Sequence, residues 1–78
     1  MEEKFEELSI HKKMEIMIKE IVDKELLFRD AMREFEKIYI ETASKKYGGN
    51  KTKIAKALGI HRNTLNNRVR SLKISEEI

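Results

Sequence analysis

The residues with the most to offer chemically lie near the C-terminus: Arg62, Asn63, Thr64, Asn66, Asn67 and Arg70, all within nine positions. Leu65, Val69 and Leu72 recur at helical spacing through the same segment. A helix over 62–72 therefore has an apolar side, and roughly 160° around it a side holding Asn63, Asn66, Asn67 and Arg70. Arginine pairs bidentately with guanine in the major groove, and an asparagine amide pairs with adenine. Asparagine is a mediocre helix former, so three within five residues are poor choices for stability alone. A merely solvated polar face is the plain alternative reading.

Other chemistry is poorly represented. The chain has no cysteine, which excludes a disulfide framework, a thiolate metal site and a cysteine nucleophile. His11 and His61 are far apart in sequence, and no acid neighbours His61. No catalytic residue, metal site or cofactor is expected, and the chain does not read as an enzyme. No apolar run approaches the roughly 20 residues of a membrane span, so no membrane partner is expected and the location reads as cytoplasmic.

Charge points the same way as the polar face. The net charge of +3 hides a division along the 78 residues. Residues 1–41 carry 12 acids and 8 bases, whereas residues 42–75 carry 9 bases and no acid. A stretch so polarised seeks phosphate, and a membrane surface is the weaker alternative.

The elements that must position these groups follow from the spacing. Asn50 is a candidate N-cap for a short helix over 51–58, with Ile54, Ala55 and Leu58 on one side. Gly59 stops that helix, and the next begins near Arg62. Small Ala55 sits where two helix backbones must approach. Gly59 sits where the turn needs a positive φ. Ile54, Leu58, Ile60 and Leu65 can clamp one helix over the other. Two short helices around a glycine-centred turn make a helix-turn-helix signature.

Upstream, Ile10, Met14, Met17 and Ile21, widened by Ile18 and Val22, predict a helix over 10–25 with Ser9 as N-cap. Asp30 can cap a second helix over 30–47. Its apolar stripe reads Ala31, Met32, Phe35, Ile38, Tyr39, Thr42, Ala43 and Tyr47, and Gly48 ends it as a left-handed residue. A chain of this size has a thin core of its own. These two helices together expose more apolar surface than one short partner covers. Met14, Met17, Ile18, Ile21, Met32, Phe35, Ile38 and Tyr39 are the expected homodimer interface. The chain thus divides into an acidic lead-in over 1–9, dimerisation helices over 10–47 and a helix-turn-helix unit over 48–78. The expected class is all-α, with four helices.

With those residues in view, the sequence resembles the Fis family of bacterial DNA-binding domains. The likeness runs through Gly48-Gly49-Asn50-Lys51-Thr52-Lys53-Ile54-Ala55 and Leu58-Gly59-Ile60-His61-Arg62-Asn63-Thr64-Leu65, and upstream through Phe35-Glu36-Lys37-Ile38-Tyr39-Ile40, covering about residues 28–74. The resemblance implies a four-helix fold whose first two helices intertwine with those of a second copy and whose last two form the helix-turn-helix. It implies a base-reading role for Arg62 and a base-proximal place for His61, where the family has asparagine. With Asn63 and Asn66 these make the expected base-reading set. It implies phosphate contacts from Asn50 and Thr52 at the start of the third helix, and from Thr64. Lys51, Lys53, Asn67, Arg68 and Arg70 complete the expected phosphate-contacting set.

The implied function is a homodimeric, sequence-selective transcriptional regulator that bends double-stranded DNA in the nucleoid, with the transcription machinery as a further partner. An alternative is the C-terminal DNA-binding domain of a larger activator of the NtrC type, although Met1 and the acidic lead-in fit a free-standing protein. A third reading is a helical dimerisation module with no nucleic acid partner.

Overall fold

The computed structural model describes residues 4–74. After a 3-10 turn over Phe5–Glu7 come four helices: α1 Ile10–Asp23, α2 Phe28–Lys46, α3 Lys51–Leu58 and α4 Arg62–Ser71. No strand occurs among the described residues. The class is all-α, as the periodicity predicts. Of the expected lead-in, residues 1–3 lie outside the described part.

Side-chain caps set the starts of α1, α3 and α4. Ser9 Oγ accepts from the Lys12 amide at 3.1 Å, and Asn50 Oδ1 accepts from the Lys53 amide at 3.0 Å. Each satisfies one of the orphan donors of a first turn. α2 begins two residues before the expected Asp30, which instead lies in the first turn. A carboxylate there still faces the positive end of the helix dipole.

All four helices close in one way. The residue after a left-handed one donates its amide back into the last turn: Leu26 to Ile21, Gly49 to Ser44, Ile60 to Ala55 and Ile74 to Val69, at 3.0–3.2 Å. Each closure needs one left-handed residue. Gly48 and Gly59 supply it at φ 58° and 70°, while Glu25 and Lys73 adopt φ 58° and 56° despite their side chains. This explains why α1 ends at Asp23 rather than near residue 25, since Glu25 has already turned left-handed. At Gly59 a Cβ would meet nothing within 4 Å. Gly59→Ala therefore tests the backbone alone. Urea unfolding should show a loss of about 1–2 kcal/mol, the strain of an L residue in that region.

The chain divides into two compact units, Met1–Ala31 and Met32–Ile78. In the first, α1 is amphipathic but none of its residues is buried. Ile10 is 77% exposed, and Met14, Met17 and Ile18 are 39%, 38% and 49% exposed. In the second unit a core forms from Ile40 of α2, Ile54 and Ala55 of α3, Leu65 and Val69 of α4, and Leu72 and Ile74 beyond it. Ala43, Tyr47, Leu58 and Ile60 pack against it.

α2 carries two apolar faces where the spacing suggests one stripe. Ile40 and Ser44 are buried, and with Ala43 and Tyr47 they face the helix-turn-helix core. Met32, Phe35, Ile38 and Tyr39 lie about 120° around the helix, and all four are exposed. The Phe35 and Tyr39 rings, four residues apart, pack in a tilted arrangement with centroids 5.9 Å apart and planes at 59°.

Candidate nucleic-acid interface

The helix-turn-helix is built by α3 and α4, and its inner side decides what its outer side can present. Leu65 and Val69 are 1% and 2% exposed, closed over by Ile54, Ala55 and Ile40. That burial fixes the rotation of α4 about its own axis. Asn63, Asn67 and Arg70 are then carried to the opposite side, where all three are exposed. Arg62 and Thr64 are exposed in the first turn.

His61 has a structural duty as well as an exposed ring. It is the N-cap of α4, its Nδ1 accepting from the Asn63 amide at 3.1 Å. With Nδ1 an acceptor, a neutral ring carries its proton on Nε2, leaving a donor. The spacing had offered no cap for this helix.

Asn66 departs from the expected outer face. It is half-buried, and its Oδ1 is shielded with no hydrogen-bond partner among the described residues. The reason is angular: position 66 lies only about 90° from the centre of the buried stripe, at the edge of the packed side.

Arg68 is also engaged. Its Nε stands 3.1 Å from Oε1 of Glu36 on α2. Three positions on, the Ser71 carbonyl accepts from Nη2 of Arg33, also on α2, at 2.6 Å. The stretch over 42–75 is free of acid in sequence, yet in space Glu36 stands beside it. Sequence reasoning missed Arg33 and Glu36. The signal was present, since Arg33, Glu36 and Ile40 share a helical face at spacings of three and four.

At the start of α3, Asn50, Thr52 and Lys53 are exposed and Lys51 is half-buried. Asn50 gives its Oδ1 to the cap and keeps its amide nitrogen free to donate. The first-turn amides and the positive dipole end beside two lysines favour an anion there.

The family model of the Fis family of bacterial regulatory proteins matches residues 31–72. The chain belongs to this family. The matched segment takes in most of α2 and all of α3 and α4, so the Fis-family region includes Arg33 and Glu36 as well as the helix-turn-helix. Fis-family proteins are DNA-binding regulators, which makes DNA the partner of this domain. The family is not an enzyme family. No match to the chain was found among curated proteins or among solved structures. Among the described residues no group of His, Asp or Glu side chains could hold a metal ion, and no helix is long and apolar enough to cross a membrane.

Proposed function

We propose that this Fis-family protein is a homodimeric, sequence-selective transcriptional regulator that lays α4 in the major groove. The observation that carries the reading is the one-sided burial of α4. Leu65 and Val69 are sealed in the core while Arg62, Asn63, Asn67 and Arg70 stand exposed in a basic surround. Arg62, Asn63 and the Nε2 side of His61 read base edges. Asn66 joins them only if its side chain swings out of its half-buried position. Asn50, Lys51, Thr52, Lys53, Thr64, Asn67 and Arg70 contact phosphate and hold the register.

Support for the dimer is the apolar surface left uncovered. Ile10, Met14, Met17, Ile18 and Val22 on α1, and Met32, Phe35, Ile38 and Tyr39 on α2, are all exposed large hydrophobics. Surfaces of this kind mark contacts with another chain. A symmetric dimer presents two copies of α4 to successive grooves, and where they stand closer than one DNA turn the duplex bends to meet both. A nucleoid location and contact with the transcription machinery accompany this role.

Fluorescence anisotropy with duplexes selected from a random pool tests the assignments. Arg62→Ala should cost about 1–3 kcal/mol on the preferred duplex and flatten its sequence preference. Lys53→Ala should weaken all duplexes alike and lower the salt slope by about one. Identical behaviour of the two variants would refute the division of roles.

A further inference from the structure

α4 is tethered to α2 by two polar contacts outside the hydrophobic core. Arg33 donates to the Ser71 carbonyl at the last turn of α4, and Glu36 pairs with Arg68 one turn earlier. The two pairs run antiparallel, Arg33 with Ser71 and Glu36 with Arg68, so together they resist both sliding and rotation of α4 along α2. The guanidinium also satisfies one of the carbonyls that a helix end leaves without an intrahelical partner. The contacts fall on the end of α4 far from its cap at His61. The buried stripe sets which side of α4 faces the core, and these contacts add a polar tie to α2 along its last turn.

We propose that Arg33 and Glu36 are positioning residues for DNA recognition: they set the angle of α4 without themselves touching DNA. The proposal rests on the reading that α4 enters the groove. Base contacts need the side chains of Arg62 and Asn63 held closely in register, whereas phosphate contacts tolerate a looser helix. Loosening the tether therefore lowers sequence discrimination more than it lowers general affinity. Glu36 has a second effect, since its carboxylate keeps Arg68 off phosphate. Arg33 and Glu36 also share two turns of α2 with Met32 and Phe35, which belong to the proposed subunit contact. The angle of α4 is thus fixed against the same helix that would join the two subunits.

The sign of the Glu36→Gln result separates positioning from simple electrostatics. Removing an acid near DNA should tighten binding to every duplex equally if charge alone matters. Positioning predicts that non-specific affinity rises a few-fold while the ratio of preferred to non-specific affinity falls about two- to fivefold, as suits a solvent-exposed pair. Arg33→Gln should lower the same ratio by a similar factor, and Arg33→Lys, which keeps a donor and the charge, should restore part of it. Ratios are measured by anisotropy on a duplex selected from a random pool and on a scrambled duplex, at one salt concentration. Amide exchange at Leu72 and Ile74 in the free protein should accelerate in Arg33→Gln. An unchanged ratio in both Glu36→Gln and Arg33→Gln would overturn the proposal while leaving the DNA-binding reading intact. No binding of any duplex by the unaltered chain would overturn that reading and this proposal together.

Discussion

Leu65→Ala should unfold much of the domain's stability, lowering it by about 3 kcal/mol. Leu65 is 1% exposed and sits in the core with Ile54, Ala55, Val69 and Ile40. Truncation removes its transfer free energy and leaves a cavity between α2, α3 and α4. In a domain this small the loss corresponds to a fall in Tm of about 15 °C or more. Thermal unfolding followed by circular dichroism checks it. Asn63→Ala provides the contrast: Asn63 is exposed, so its loss should shift stability by no more than about 0.5 kcal/mol while weakening DNA binding. A small effect at Leu65 would mean that α4 is not held by this core.

Raising salt from 50 to 200 mM should weaken DNA binding by about 10³–10⁵ for the six to ten phosphate contacts expected of the proposed dimer. The bases are available in that number. Lys45, Lys46, Lys53, Lys56, Arg62, Arg70 and Lys73 are exposed in each chain, and Lys51 is half-buried. Arg68 is exposed as well, with Glu36 paired to it at 3.1 Å. Each neutralised phosphate releases counterions, so the logarithm of affinity falls linearly with the logarithm of salt concentration. A flat profile would show that the basic segment over 42–75 does not meet the backbone.

The helix-turn-helix was the most legible part of the chain. Its start, its glycine turn and its buried stripe depend on local chemistry: a cap at Asn50, a left-handed Gly59 and apolar residues at helical spacing. Each of these is written in neighbouring residues. The end of α1 was less legible because it turns on Glu25, a residue type that rarely takes a left-handed backbone. The two faces of α2 were merged for a different reason. Steps of three and four link Phe35 to Tyr47 as one drifting stripe, although twelve positions set them about 120° apart, and tertiary packing decides that the face of Ile40 and Ser44 meets the core.

On the proposed recognition surface, chemistry points to Arg62, Asn63, Asn67 and Arg70, and all four are exposed. Residue type could not tell that Asn66 sits at the edge of the packed side, or that the His61 ring is spent in part on a cap. The Glu36 and Arg68 pair joins residues 32 positions apart, beyond the reach of any local pattern. It also alters the electrostatic picture, because a segment with no acid in its sequence has one beside it in space.

The central claim is that two chains act together on one duplex, each inserting its α4. The most direct measurement is the mass of the complex with a selected duplex, by sedimentation or light scattering at low salt. The account predicts two chains per duplex, with Phe35→Glu reducing the complex to one chain or abolishing it. A single unaltered chain bound at full affinity, or no complex at all, would contradict it.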